Sequence, residues 1–184
     1  MADVASQLVP ALTARGLTIG TAESLTAGMI SSTIANVSGA STVLMGGVVS
    51  YDARIKRDVL GVDQYVIDTV GVVSPECAAQ MAQGARRALG VDIAVSATGI
   101  AGPTGGTAEV PVGTVYLCVC TADDVRVEEC HFHGGRRMVR RQATRRALCM
   151  VMELIGEPVK KARLPRIVAE AIDLIVDIAL DILD

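Results

Sequence analysis

Short apolar segments alternate with helix-forming stretches along most of this chain, and most of the segments end in a turn signal. Residues 17–22, 43–51 and 92–98 have the nearly continuous apolar character of strands that are buried on both faces. Residues 114–121 and 125–133 have the spacing of a hairpin. This order predicts a single α/β domain, built as a three-layer α/β/α sandwich around a mixed, mostly parallel sheet.

The predicted helices have recognisable ends. Ser74 and Pro75 are a typical N-cap and first helical residue, and Gly16 and Gly61 are typical C-caps. We expect one domain over residues 1–158 and a C-terminal helical extension over residues 159–184. The predicted helices cover residues 3–15, 24–36, 53–60, 74–89, 136–155 and 164–183, and a glycine-rich loop covers residues 99–113.

Charge and composition narrow the classes of function. The 20 acidic and 17 basic residues give a formal charge of -3, unlike the strongly basic surface of a protein that coats nucleic acid. No window of about 18 apolar residues lacks charges, so we expect no membrane span. No secretory signal is evident, and the five cysteines lack the spacing of a disulfide framework. We therefore expect a cytoplasmic protein with a small-molecule partner, and neither a nucleic-acid partner nor a metal.

The first candidate site is the segment at residues 21–28, where a predicted strand turns into a predicted helix. Ser24 in that turn has a hydroxyl near backbone N–H groups that favour developing negative charge. Such a position suits a nucleophile. The alternative is that Ser24 only caps the helix, and this segment taken alone favours the cap.

Lys56, together with Tyr51, is the second candidate. The chain has three lysines, and Lys56 is the only one that lies before residue 159. A desolvated lysine loses its proton more readily and then serves as a general base, which an arginine cannot do. Tyr51 ends a predicted strand, so both side chains are expected at the sheet end where α/β ligands bind. The alternative is a solvated lysine beside two arginines.

Two further segments suit anion binding. The loop TGIAGPTGGT, residues 98–107, exposes backbone N–H groups and allows a ligand to approach closely, although a long surface turn has the same composition. An arginine cluster follows on a predicted helix, where we expect one or two members to contact ligand and the others to face solvent. The cluster contains Arg136, Arg137, Arg140, Arg141, Arg145 and Arg146.

Taken together, these segments resemble the CinA C-terminal domain family. The matching motifs are TAESLTAG, GGVVSY with Lys56 five residues beyond its tyrosine, TGIAGPTGGT and PVGTVY, in the family's order over about residues 3–155. Stand-alone members are nicotinamide-nucleotide amidases. The resemblance implies hydrolysis of the carboxamide of nicotinamide mononucleotide to nicotinate mononucleotide and ammonia, without a metal or an organic cofactor. It implies Ser24 as nucleophile and Lys56 as base, assisted by Tyr51.

The resemblance also implies a substrate site in the glycine loop and the helix after it. Its substrate-binding residues would be Thr98, Gly99, Gly102, Gly105, Gly106, Arg136 and Arg140. Backbone N–H groups at the helix start near Ser24 would hold the oxyanion. The chain departs from the family at Leu25 and Ala27, where Cys and Gly are common, and at Ala53, where Asn is frequent.

Two other functions stay open on the sequence: a non-catalytic nucleotide-binding module, and an assembly protein that retains the fold. Residues 164–184 are largely apolar apart from an acidic stripe at three- and four-residue spacing. The apolar surface is wider than one core-facing stripe needs, so we expect this helix to join a partner chain in a homo-oligomer or larger assembly. The stripe consists of Glu170, Asp173, Asp177, Asp181 and Asp184.

Overall fold

The computed structural model describes residues 2–159, so the predicted terminal helix and its association with a partner lie outside the described residues. Five strands form one sheet, and the central position belongs to the third strand of the chain. The strands are β1 (Ile19–Glu23), β2 (Leu44–Val49), β3 (Ile93–Gly99), β4 (Thr114–Cys120) and β5 (Val125–His131). Their order across the sheet is β2-β1-β3-β4-β5.

The sheet is mixed, and four of its five described strands point the same way. β1 pairs in parallel with β2 on one side and with β3 on the other. β4 is antiparallel to both β3 and β5, so it alone runs against the other described strands. The predicted mixed, mostly parallel sheet is therefore confirmed.

Helices cover both faces of the sheet, as a three-layer sandwich requires. They are α1 (Ala2–Arg15), α2 (Met29–Ala35), α3 (Ala53–Leu60), α4 (Pro75–Leu89) and α5 (Arg136–Leu154). One apolar core joins α1, α2 and α5 to one face, and a second core joins α4 and the end of α3 to the other. In residues 2–159, no helix has the length and apolar character needed to cross a membrane.

Helix α2 begins later than the sequence predicts. The predicted helix starts at Ser24, but the observed one starts at Met29, and residues 24–28 form a turn. Ala27 and Gly28 have φ angles of 49° and 88°, which place both in the left-handed region and interrupt a right-handed helix. Ser24 is therefore not the N-cap, a position that Gly28 occupies.

Helices α3 and α4 cross at an unusually short distance. A Cβ atom added at Gly84 of α4 would lie 1.8 Å from the carbonyl oxygen of Leu60, the last residue of α3. Only a residue without a side chain fits there, because the Leu60 backbone occupies the space. This contact fixes the end of α3 against α4, and α3 carries Lys56.

Candidate active site

The carboxyl ends of the parallel strands β1, β2 and β3 meet at one edge of the sheet, and Ser24 follows β1 there. Its backbone N–H donates to the Ala97 carbonyl of β3 at 2.9 Å, which continues the β1–β3 pairing by one residue. The Ser50 N–H likewise donates to the Glu23 carbonyl at 2.8 Å. The backbone of the candidate nucleophile is thus held by the sheet itself.

Helix α3 lies on the face of the sheet opposite α2, and Lys56 extends from α3 to the same strand ends. Asp52 caps α3 by accepting a hydrogen bond from the Arg54 N–H at 2.8 Å, and the helix then carries Lys56 beneath the strand ends. The side chain is only 1% exposed. Its Nζ lies 3.0 Å from Ser24 Oγ and 2.5 Å from the Ser50 carbonyl oxygen. The predicted nucleophile and the predicted base are therefore in direct contact.

Burial changes the acid–base chemistry of the Lys56 amine. Desolvation lowers the pKa of Lys56 from its ordinary value of 10.5, and interactions with Cys77 and Asp52 oppose the decrease. Burial also raises the pKa of the Cys77 thiol to about 11, so this neighbour is an uncharged thiol at neutral pH. A buried amine with no carboxylate hydrogen-bonded to it is suited to lose its proton and act as a base.

Tyr51 and Arg136 lie together at the entrance to the site that contains Ser24 and Lys56. Tyr51 is 58% exposed, and its hydroxyl accepts a hydrogen bond from Arg136 Nη2 at 2.7 Å. Arg136 Nη1 donates to the Gly102 carbonyl at 3.0 Å, so it ties the tyrosine to the glycine loop. Among the described residues, no hydrogen bond joins the Tyr51 side chain to Ser24 or Lys56. The geometry supports a direct Ser24–Lys56 proton transfer.

A cavity of about 200 Å³ opens between these groups. Of the predicted substrate-binding residues, Thr98, Gly99 and Arg136 line it, together with Ser24, Tyr51 and Lys56. Thr98 connects the end of β3 to the segment before α4, since its hydroxyl donates to the Val72 carbonyl at 2.6 Å. The remaining lining residues are Leu25, Ala53, Val72, Val73 and Ala101.

The other predicted substrate-binding residues lie outside this cavity. Gly102 contributes through its carbonyl contact with Arg136, and Gly105 and Gly106 lie farther along the loop. Arg140 donates from Nε to the Leu25 carbonyl at 2.8 Å and from Nη2 to the Thr26 carbonyl at 2.7 Å. Two of its donors are thus used by the turn that carries Ser24.

The remaining arginines of the cluster do not line the Ser24 cavity. Arg146 bonds to Glu128 and Glu153. Arg137 and Arg141 line a second cavity of about 490 Å³ at the start of α5, which shares Arg136 with the Ser24 cavity. In residues 2–159, no group of three potential metal ligands comes together.

Glu23 is a site residue that sequence reasoning missed. It is 0% exposed, and its carboxylate accepts hydrogen bonds from the Ile30 and Ser31 N–H groups at 3.0 and 2.9 Å. The Ser31 and Thr21 hydroxyl oxygens lie 2.7 and 3.1 Å from the carboxylate and 2.5 Å from each other, so one of them donates to the other and the second donates to Glu23. An ionisable residue at the end of an otherwise uncharged strand was the available signal. Glu23 uses the Ile30 and Ser31 amides at the start of α2, so these two amides are not free for an oxyanion, and the expectation that backbone N–H groups near Ser24 hold the oxyanion stays a prediction.

Comparison with known proteins agrees with this arrangement. The sequence pattern of the CinA C-terminal domain matches residues 1–155. A CinA-like protein of Syntrophotalea carbinolica is 42% identical over 150 residues, which cover 82% of this chain and 35% of that protein. A CinA-like protein of Thermotoga maritima is 43% identical over 134 residues, or 73% of this chain and 33% of that protein. The chain thus spans about a third of the length of these relatives.

Solved structures share the fold. The competence/damage inducible protein CihA from Agrobacterium tumefaciens has 39% identity and a TM-score of 0.82, over 83% of this chain and 94% of that one. A competence-damaged protein (CinA) superfamily protein from Escherichia coli has 30% identity and a TM-score of 0.81, over 84% of this chain and 90% of that one. On its sequence pattern, its relatives and its fold, the chain belongs to the CinA C-terminal domain family.

Proposed function

We propose that this chain hydrolyses the carboxamide of nicotinamide mononucleotide, giving nicotinate mononucleotide and ammonia. The observation that carries the proposal is the 3.0 Å contact between Ser24 Oγ and the Nζ of Lys56, a lysine that is 1% exposed. A serine becomes a useful nucleophile only beside a base, and a buried neutral lysine is one of the few side chains that supply it. The family resemblance of the surrounding motifs supports the choice of substrate.

The Lys56 amine has the hydrogen-bonding capacity that a base needs here. A neutral amine has two hydrogens and one lone pair. One N–H donates to the Ser50 carbonyl at 2.5 Å, which holds the amine in place. Once the amine is neutral, its lone pair is free to turn toward Ser24 Oγ, which lies 3.0 Å from Nζ, and to accept the hydroxyl proton. The Ser50 carbonyl therefore orients the base without taking part in the proton transfer.

The reaction proceeds in two halves. Ser24 Oγ attacks the carboxamide carbon while its proton passes to Lys56, and the carbonyl oxygen takes the negative charge. When the tetrahedral intermediate collapses, the C–N bond breaks and the leaving nitrogen takes the proton from Lys56, so that ammonia departs. Water then attacks the acyl ester with Lys56 again as base, and the departing Ser24 oxygen recovers a proton.

The dimensions of the site indicate which part of the substrate enters. The cavity of about 200 Å³ is smaller than the roughly 300–1,000 Å³ of most ligand pockets. It therefore suits the reacting carboxamide end, and the ribose phosphate would extend outside. Arg136 stands at the border between this cavity and the arginine-lined cavity at the start of α5, where a phosphate finds cationic partners.

Ammonia release from nicotinamide mononucleotide tests the proposal directly. We expect turnover with the purified protein and its loss in Ser24→Ala. Nicotinamide riboside and free nicotinamide serve as matched substrates that keep the amide and lack the phosphate, and we expect both to be poorer. Absence of ammonia release from all three compounds by a folded protein would contradict the proposal.

A further inference from the structure

The turn at residues 24–28, called the nucleophile turn below, is held from two sides by oppositely charged residues. Glu23 precedes the turn and accepts from the amides of Ile30 and Ser31, just beyond it. Arg140 of α5 donates to two carbonyl oxygens inside the turn. Neither side chain contacts the Ser24 hydroxyl or lines the cavity of about 200 Å³.

Glu23 closes the turn at its base. The carboxylate lies at the end of β1, and its amide partners lie seven and eight residues later, in the first turn of α2. These bonds join the residue before the turn to the helix after it. A buried carboxylate is stable only when its oxygens are hydrogen-bonded, so the two amides and the linked hydroxyls of Thr21 and Ser31 around Glu23 hold both chain segments together.

Arg140 fixes the orientation of two consecutive peptide groups. Its guanidinium donates to the Leu25 and Thr26 carbonyls at 2.8 and 2.7 Å. Because a trans peptide is planar, each bound carbonyl also determines the direction of the following N–H group, which points the opposite way. The Ala27 N–H accordingly points back to the Ser24 carbonyl, to which it donates at 3.1 Å. The planar fork of an arginine is suited to hold two acceptors at once, and a lysine is not.

The turn needs this support because its backbone is not relaxed. Ala27 has a φ of 49°, a left-handed conformation that costs a residue with a side chain about 1–2 kcal/mol. A strained turn persists only where its surroundings impose the conformation. Glu23 connects the two ends of the turn, and Arg140 binds two of its backbone carbonyls.

We propose that Glu23 and Arg140 are positioning residues, which keep Ser24 Oγ within hydrogen-bond distance of Lys56. The inference rests on the proposed function, in which that contact activates the nucleophile. It also gives Arg140 a role other than the substrate contact that the family resemblance implies. A positioning residue affects the chemical step, so its loss lowers kcat. A residue that binds substrate affects KM instead.

The experiment compares Glu23→Gln and Arg140→Lys with two matched controls. Glu23→Gln keeps the shape of the side chain but places an NH2 group opposite the donors that the carboxylate accepts from. Arg140→Lys keeps the positive charge but loses the planar guanidinium that binds two carbonyls. The controls, Glu128→Gln and Arg146→Lys, make the same exchanges in an ion pair that does not contact the turn. We expect the two test variants to lose about 100-fold in kcat, with KM within about threefold, since small misplacements of reacting groups have effects of this size. The controls keep kcat.

A second measurement does not depend on the substrate. Hydrogen exchange of the backbone amides at residues 24–31 should become faster in both test variants and stay unchanged in the controls. Unchanged exchange in the test variants would overturn the positioning role, and so would an Arg140→Lys variant in which KM rises while kcat is kept. If the wild-type protein releases no ammonia, the proposed function fails by itself, and the exchange rates still decide whether Glu23 and Arg140 hold the turn.

Discussion

The two ends of the sheet offer contrasting cavities. At the carboxyl ends of β1–β3, about 200 Å³ is lined by Ser24, Lys56 and the glycine loop. At the opposite end, a larger cavity of about 530 Å³ is lined by several charged residues. These include Arg15, Arg86, Asp92, Asp123, Asp124 and Arg126. The larger cavity is lined by more charged residues, yet none of these six is buried as Lys56 is.

Burial and pairing explain the difference. At the larger cavity, Arg126 pairs with Asp124 and Arg15 pairs with Glu157, and each of these side chains is at least a third exposed. Asp92 is bound by Thr18, which lowers the pKa of its carboxyl. Lys56 instead is buried without a carboxylate bound to its amine, and burial lowers its pKa. The proposed reactivity therefore depends on the desolvation of one group, the Lys56 amine, and the volume of a cavity or its number of charged residues does not predict it.

The largest expected effect is the loss of turnover when a hydroxyl is removed at the Ser24 end of the sheet. The same change at the opposite end should have little effect. Ser24→Ala should lower the rate of ammonia release by three orders of magnitude or more, as removal of a nucleophile does. Thr121→Ala, the matched change at the larger cavity, removes a hydroxyl that caps the turn before Asp124. It should leave turnover within about twofold, because a lost turn contact acts on stability. Residual activity of Ser24→Ala within about tenfold of wild type would rule out a nucleophilic role.

The next effect concerns the base. Lys56→Arg should be nearly as damaging as Lys56→Ala, at about 10²–10⁴-fold, because arginine keeps the charge but does not deprotonate. Only the neutral amine accepts a proton, and burial lowers the pKa of Lys56 from 10.5. Turnover of the wild type should therefore rise with pH and level off below pH 10.5. The comparison variant Arg86→Lys should keep both the rate and the pH profile. An active Lys56→Arg enzyme would place the base elsewhere.

A smaller effect, on stability, follows from the same burial. The folded chain releases the Lys56 proton at a lower pH than the unfolded chain, whose pKa is near 10.5. Between the two pKa values the unfolded chain binds more protons, so wild-type stability rises with pH. Lys56→Met should thus be inactive but melt at a higher temperature at neutral pH, and its advantage should shrink toward pH 10.5. Thermal unfolding across this pH range is the measurement.

Arg126→Met is the control for that measurement. Arg126 is half exposed and pairs with Asp124, so its replacement leaves no buried charge to vary with pH. We expect a small change in melting temperature that does not vary between pH 7 and pH 10.5. A Lys56→Met variant with the same flat profile would show that the buried amine has no destabilising charge to lose.

The smallest effect tests the strain at the nucleophile turn. Ala27→Gly removes from the folded state the cost of a left-handed alanine, about 1–2 kcal/mol. It also raises the conformational entropy of the unfolded chain, which lowers stability by about 0.4–1 kcal/mol. The first term is larger, so the free energy of unfolding should increase by about 0.5 kcal/mol. Ala88→Gly, in the ordinary helix α4, should instead decrease it by about 0.5–1 kcal/mol. Denaturant unfolding of both variants is decisive, because equal losses would mean that Ala27 carries no strain.

The sequence predicted the layers of the fold and the proximity of Ser24 and Lys56 for identifiable reasons. Apolar runs and their caps, such as Ser74 before α4, are local signals, and the structure keeps them. Lys56 stood out because no other lysine lies in the described part of the chain. The start of α2 was wrong because a left-handed Ala27 contradicts residue preference. Glu23 and the carbonyl partners of Arg140 depend on contacts that single-sequence periodicity does not contain.

The helix crossing at Gly84 has a consequence for which mutations the protein tolerates. The missing side chain lets α4 touch the Leu60 backbone, and this contact determines how deeply α3 carries Lys56 beneath the strands. A single methyl group at residue 84 would push α3 outward and increase the distance between the amine and Ser24. Gly84 does not line the candidate active site, yet natural variation should be as restricted at this position as at Ser24 and Lys56.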